Sequence, residues 1–83
     1  MKLRYFAWVR ERIGHSEEEI DLPGEIRRVG ELISWLAARD PGYAAAFAVP
    51  EVIRTAIDRR LVPHDAPLDR AREIAFFPPM TGG

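Results

Sequence analysis

Cysteine is absent from this 83-residue chain, and its absence limits both how the chain can fold and what chemistry it can perform. Without disulfides or cysteine-bound metal, a chain this short is expected to fold as one domain around an apolar core. The apolar fraction of 47% is sufficient for such a core. A thiol nucleophile is also excluded, so the chain is not a cysteine enzyme.

The charge balance argues against a nucleic-acid partner, and the lack of a long apolar run argues against a membrane partner. The formal net charge is −1 and the two signs are interspersed, which gives no reason to expect a nucleic-acid partner. The sequence contains no apolar run long enough for a transmembrane helix, so no membrane partner is expected. Its charged start does not resemble a signal peptide. We therefore expect a cytoplasmic protein.

Alternation of apolar and polar residues predicts several short strands. Residues 2–9 alternate, with Leu3 and Tyr5 on the apolar side, and residues 10–14 fit a helical turn. A polar strand at residues 18–22 precedes a Pro-Gly turn and allows a hairpin with the first strand. Further strands are predicted at residues 52–57, 61–62 and 73–77.

One segment has the spacing of an amphipathic helix. Apolar residues at i, i+3, i+4 and i+7 predict a helix over residues 28–39, namely Val29, Leu32, Ile33 and Leu36. A short second helix is predicted at residues 43–47, and Leu68 is expected to anchor a loop in the core. The order ββαβββ indicates an α+β fold, in which one main helix packs on one face of a mixed sheet of four to five strands.

The opposite face of this sheet carries aromatic residues. If the first and last strands are neighbours, Phe6, Trp8 and Phe77 lie together on the side away from the helix. An exposed aromatic patch on so small a domain indicates a partner surface. The alternative is that one or more of these side chains packs beneath a loop.

The side chains offer no recognisable catalytic constellation. His15 and His64 are the only histidines and lack the spacing of metal ligands, so no metal site is expected. Ser16 and Ser34 lack a nucleophile-elbow context. No phosphate-binding glycine motif is present, and no cofactor is expected.

The final residues, Gly82 and Gly83, offer different chemistry. Glycines lack Cβ, so they can enter a narrow channel, and Pro78 and Pro79 stiffen the chain before them. We therefore predict a domain over residues 1–77 and an extended arm over residues 78–83. A terminal carboxylate becomes reactive as an acyl-adenylate. A sulfur donor would convert it to a thiocarboxylate, and an amine would convert it to a protein conjugate.

Two segments carry a resemblance to a known family. Residues 3–14, LRYFAWVRERIG, and residues 73–83, EIAFFPPMTGG, resemble the start and end of molybdopterin synthase small subunits. These are sulfur carriers with the ubiquitin-like β-grasp fold, and the resemblance covers nearly the whole chain. The Phe-Pro-Pro run separates this group from the thiamine-pathway carrier, which shares the fold and the diglycine.

The resemblance implies a mechanism and a set of partners. An ATP-dependent adenylating enzyme would activate Gly83, and a sulfur-transfer protein would complete its thiocarboxylate. The tail would then thread into the synthase large subunit and deliver sulfur to cyclic pyranopterin monophosphate within a heterotetramer. The threading residues would be Pro78, Pro79, Met80, Thr81 and Gly82, and the partner-binding residues Phe6, Arg10 and Phe77. The large subunit would supply the active site, so this chain would be a non-catalytic donor.

One position departs from the family pattern. Members commonly carry Asn after the third strand, where this chain has Asp58 followed by Arg59. Aspartate can replace asparagine in a turn that needs its side-chain acceptor. Three other functions remain open: a sulfur carrier of another pathway, such as the thiamine type, a ubiquitin-like protein modifier and a plain binding module. Poly-chain formation is disfavoured because Lys2 is the only lysine.

Overall fold

The computed structural model describes residues 1–79, and Met80, Thr81, Gly82 and Gly83 lie outside this part. The strands are β1 (Lys2–Tyr5), β2 (Glu17–Glu19), β3 (Arg54–Ile57), β4 (Arg60–Val62) and β5 (Glu73–Phe77). The helices are α1 (Ala7–Ile13), α2 (Val29–Ala37) and α3 (Pro41–Ala46), and a 3₁₀ turn (Pro50–Val52) precedes β3. The predicted arm over residues 78–83 therefore stays a prediction.

The five strands form one mixed sheet in the order β2-β1-β5-β3-β4. β5 pairs with β1 in parallel, whereas the β1–β2, β3–β5 and β3–β4 pairs are antiparallel. The first and last strands are thus neighbours, as the aromatic pattern required. This arrangement confirms the predicted α+β class with a mixed sheet.

Only one face of the sheet is covered by helices. Burial alternates along β1 and β5, so Leu3, Tyr5, Ile74 and Phe76 point into the core while the residues between them do not. The helices supply the other half of the core through Val9, Val29, Leu32, Ile33, Leu36, Tyr43 and Ala46. The predicted anchor Leu68 is also buried. The opposite face, called the open face below, has no layer of described residues over it.

The strand predicted over residues 2–9 is wrong beyond Tyr5. The chain leaves β1 at Phe6 and enters α1 through Ala7, whose φ of +52° is unusual for a residue with a side chain. Val9 is buried in the core, but as a residue of α1 rather than of a strand. A buried residue four places after Tyr5 fits either periodicity, so alternation could not locate the turn.

Other boundaries also differ from the sequence predictions. β2 covers Glu17–Glu19 rather than residues 18–22, and it is joined to β1 through α1 instead of a hairpin turn. β3 begins at Arg54, because Pro50 starts the 3₁₀ turn that occupies the first predicted strand position. The predictions for α2, β4 and β5 are confirmed. Two shorter helices accompany α2: α1 extends the predicted helical turn at residues 10–14, and α3 corresponds to the second helix predicted at residues 43–47.

α3 begins two residues before the predicted second helix, at Pro41. The Asp40 side chain accepts hydrogen bonds from the backbone N–H groups of Gly42 (2.8 Å) and Tyr43 (3.2 Å), and Pro41 occupies the first turn. A Cβ on Gly42 would lie 2.7 Å from the carbonyl oxygen of Arg12. Glycine therefore allows α3 to approach the end of α1 closely.

A polar network holds the edge strand β2 against the helices. The Glu18 side chain is only 17% exposed and accepts hydrogen bonds from the hydroxyls of Tyr5 (2.7 Å) and Tyr43. Arg39 donates to the other carboxylate oxygen (3.1 Å), and His15 Nε2 lies 3.2 Å from Glu18. One carboxylate thus joins β1, β2, α3 and the segment after α2.

These contacts determine the ionisation of the network. Burial alone would raise the pKa of Glu18, but hydrogen bonds from Tyr43 and Tyr5, with His15 and Arg39, lower that pKa to about 2. Burial and the Glu18 carboxylate raise the pKa of Tyr43 to about 12. The same causes, in the same order, raise the pKa of Tyr5. At neutral pH the carboxylate is ionised and both phenols act as donors.

The β3–β4 hairpin turns at Asp58 and Arg59, which both have positive φ angles (47° and 73°), as a two-residue hairpin turn requires. The Asp58 carboxylate accepts hydrogen bonds from the backbone N–H groups of Arg72 (3.1 Å) and Glu73 (2.9 Å). The expectation that aspartate supplies the acceptor at this turn is confirmed. The turn is thereby tied to the start of β5.

We predict that Glu18→Gln destabilises the fold at neutral pH by about 1–3 kcal/mol. Because folding lowers the Glu18 pKa from 4.5, its contribution is complete above pH 4.5 and is lost as pH falls toward 2. Urea unfolding at several pH values measures this dependence. Glu19→Gln is the control, since that side chain is 75% exposed. Identical acid dependence in wild type and Glu18→Gln would contradict the assignment.

Asp58→Ala should cost about 1–3 kcal/mol of unfolding free energy, because two backbone donors lose their acceptor. Asp58→Asn retains a side-chain oxygen acceptor and should cost much less. Thermal or urea unfolding of the two variants distinguishes them. Equal losses for alanine and asparagine would show that the side-chain acceptor contributes nothing.

Candidate functional site

The stem of the predicted arm is fixed by the centre of the sheet. β5 is hydrogen-bonded to β1 on one side and to β3 on the other. The Phe6 N–H also donates to the Phe76 carbonyl (3.1 Å), which extends the pairing beyond β1. Phe76 is buried and packs on Tyr5 and Phe47. Pro78 and Pro79, both half-buried, follow directly, so the chain leaves the domain at a well-defined place.

An apolar surface lies on the open face near this exit. Phe6 is 38% exposed, Leu61 is 67% exposed and Phe77 is half-buried. Between them, the register pairs Ala56 with both Leu61 and Ala75. The two alanines have small side chains. We call these five residues the open-face patch. Its members come from β3, β4, β5 and the end of β1.

Basic residues border the open-face patch. Lys2 Nζ lies 2.7 Å from the Glu17 carboxylate. The Arg4 guanidinium lies 3.9 Å from the Glu73 carboxylate and 5.2 Å from the centre of the Phe6 ring. Arg54 is exposed and pairs with Phe77 in the β3–β5 register. The patch is therefore apolar at its centre and charged at its border, where Lys2 and Arg4 lie beside carboxylates of this chain.

The structure brings some of the sequence-predicted residues together and separates others. Phe6 and Phe77 share the open face, whereas Arg10 lies exposed on α1. The expectation that Trp8 joins this surface is wrong, because it belongs to α1, where it is half-buried and the Arg12 guanidinium stacks 4.2 Å from its ring centre. The predicted site residues Met80, Thr81, Gly82 and Gly83 lie outside the described residues.

Sequence reasoning did not assign Leu61 or Arg54 to this surface. Both lie in segments that were predicted as strands, but local alternation does not say which side of a short strand meets the core. The available signal was the alternation within β4, which puts Leu61 on the side of the sheet opposite to Arg60 and Val62. Only the pairing of β4 with β3 shows that its side is the open one.

The described residues show no cluster of metal ligands. Within residues 1–79, no group of three His, Cys, Asp or Glu side chains could hold a metal ion. No helix in the described part of the chain is long and apolar enough to cross a membrane. A surface cavity of about 610 Å³ lies beside the start of α2. There the Glu31 carboxylate accepts from the N–H groups of Arg27 (2.7 Å) and Arg28 (3.0 Å).

Comparison with known proteins assigns the chain to a family. The ThiS family profile matches residues 3–83. The chain belongs to the ThiS family. Its relatives include the molybdopterin synthase sulfur carrier subunit of Escherichia coli (strain K12), 35% identical over 83 residues, which are 100% of this chain and 99% of the relative. The corresponding Haemophilus influenzae (strain ATCC 51907 / DSM 11121 / KW20 / Rd) subunit is 31% identical, with the same coverage.

Solved structures support the same fold for this ThiS-family chain. A Pyrococcus furiosus protein described as subunit 1 of a molybdopterin converting factor gives a TM-score of 0.73 at 30% identity, with 95% of each chain covered. SAMP1 from Haloferax volcanii gives a TM-score of 0.71 at 22% identity, covering 100% of this chain and 98% of the other. At 22% identity, the likeness to SAMP1 concerns the fold alone. The predicted ubiquitin-like β-grasp fold is confirmed.

Because Leu61 is mostly exposed, truncating it should hardly affect stability. We expect Leu61→Ala to change the unfolding free energy by less than about 0.5 kcal/mol. The matched control, Leu36→Ala, removes a fully buried leucine and should cost about 2–5 kcal/mol. Urea unfolding measures both. A core-sized loss for Leu61→Ala would mean that this leucine serves the fold rather than a partner.

Proposed function

We propose that this chain is the sulfur-carrier subunit of a molybdopterin synthase. The observation that carries the proposal is 35% identity across the whole chain with the Escherichia coli sulfur carrier subunit. The proposal is supported by the position of β5, which leads from the centre of the sheet directly into Pro78 and Pro79. It also fits an open face that offers binding contacts without catalytic groups among residues 1–79.

In this proposal Gly83, the last residue of the sequence, carries the sulfur. An adenylating enzyme lets the carboxylate oxygen attack the α-phosphate of ATP, and pyrophosphate leaves. A sulfur-transfer protein then supplies hydrosulfide, whose sulfur attacks the carbonyl carbon, so that a C–S bond forms while the C–O bond to AMP breaks and a proton is released. The resulting thiocarboxylate donates its sulfur to cyclic pyranopterin monophosphate. The glycines suit this chemistry because a backbone without Cβ can enter a narrow channel.

The synthase large subunit is the partner that the proposal requires at the open face. Phe6 and Phe77 supply apolar contacts beside the arm, and Arg10 supplies a charged contact from α1. Pro78 to Gly82 thread the arm into the partner, whose own groups perform the acid–base steps. The complete assembly is a heterotetramer of two small and two large subunits.

Intact mass spectrometry tests the proposed cargo. The chain is coexpressed with its adenylating enzyme and a sulfur-transfer system, and a mass gain equal to exchange of one oxygen for sulfur is expected. A variant lacking Gly83 is the control, and it should show no gain and no sulfur transfer. Unchanged synthase activity without Gly83 would contradict the proposal. Isopeptide-linked adducts in place of the thiocarboxylate would favour a protein modifier.

A further inference from the structure

Arg54 is a charged residue beside the apolar open-face patch. It opens β3, directly opposite Phe77 on β5, and its side chain is exposed. Strand alternation puts Arg54 on the same face as Ala56, whose neighbours are Leu61 and Ala75. The guanidinium therefore belongs to the surface formed by the open-face patch, next to the point where the arm begins.

The other two cations of the open face already have carboxylates close by, and Arg54 differs from them. Lys2 is paired with Glu17, and Arg4 lies near Glu73. No residue within 1–79 forms an ion pair with Arg54. Glu51 lines the same groove of about 420 Å³ as Arg54 but is not in ion-pair contact with it.

Docking changes the environment of this guanidinium. A partner that covers Phe77 and Leu61 removes water from Arg54 at the same time, because the three residues share one surface. A charge that loses its water costs several kcal/mol unless an opposite charge replaces the hydration. The partner therefore has to supply an acceptor at this place or avoid the patch.

We infer that Arg54 is a specificity-determining residue, and that the synthase large subunit places an Asp or Glu carboxylate against it while apolar side chains cover Phe77 and Leu61. The inference rests on the proposed function. A carboxylate fits better than a neutral carbonyl because the planar guanidinium binds it through two parallel hydrogen bonds. An acidic group at one fixed position also sets the orientation of the docked subunit, and with it the direction of the arm.

The test compares the binding of purified variants to the purified large subunit by isothermal titration calorimetry at low and high salt. Arg54→Leu removes the charge and leaves an apolar side chain in its place. Arg54→Glu reverses the charge. The matched control is Arg60→Glu, the same charge reversal at an exposed residue of the same hairpin on the opposite side of the sheet. Thermal unfolding verifies that every variant is folded, which is expected because both arginines are exposed.

We expect Arg54→Leu to weaken binding by about 30-fold or more, since it leaves the partner carboxylate buried without a counter-charge. Arg54→Glu should weaken it further, and Arg60→Glu should stay within about 3-fold of wild type. Wild-type affinity should fall with salt more steeply than that of Arg54→Leu. A large-subunit variant with Arg in place of the opposing Asp or Glu should restore binding to Arg54→Glu.

Equal or tighter binding by Arg54→Leu would overturn the role of Arg54. So would a loss of the same size for Arg60→Glu, because that result would reflect overall charge rather than one contact. These outcomes leave the proposed function intact as long as the wild-type chain binds the large subunit and gains its thiocarboxylate. Failure of wild-type binding would overturn the proposed function and this inference together.

Discussion

The central strand β5 is the constraint on which the rest of this structure depends. It is paired on both sides, in parallel with β1 and antiparallel with β3. Its inward residues Ile74 and Phe76 are fully buried among side chains from the helices. Moving the end of β5 would break both ladders and open the core. The position of Phe77, directly before Pro78, is therefore set by both strand ladders and by the core.

Pairing of β5 with β1 and β3 also divides the molecule into two functional faces. The inward residues of these strands build the core, and the outward residues Ala56, Ala75 and Phe77 lie on the open face. A domain of this size has little volume for a cavity with catalytic groups. In the proposed function it needs none, because the sheet provides docking and the arm carries the reacting group.

Polar contacts stabilise the two ends of the sheet that the core cannot reach. At one edge Glu18 holds the three-residue strand β2 through Tyr5, Tyr43 and Arg39. At the other, Asp58 ties the β3–β4 turn to the start of β5. Short edge strands gain little from burial, so these hydrogen bonds keep both ends in register. In the proposed function, this fixed register holds the docking surface in one shape.

The sequence by itself determined the local elements with a strong signal. The i, i+3, i+4 spacing identified α2, and the apolar run before Pro78 identified β5. The two terminal segments identified the family, and Asp58 was expected to act as a turn acceptor. Each of these conclusions depends on residues that are neighbours along the chain, so a linear pattern contains the information.

Tertiary structure alone decided where β1 ends and which residues share the open face. Val9 fits a core-facing position in a strand or in a helix, and only packing against α3 and β5 selects the helix. Phe6, Arg54, Leu61 and Phe77 come from distant parts of the chain. They meet because strand pairing is non-local, and the alternation within one strand cannot specify its neighbours. The sequence thus predicted an arm after β5, and the pairing of strands decided which residues form the open-face patch beside Pro78.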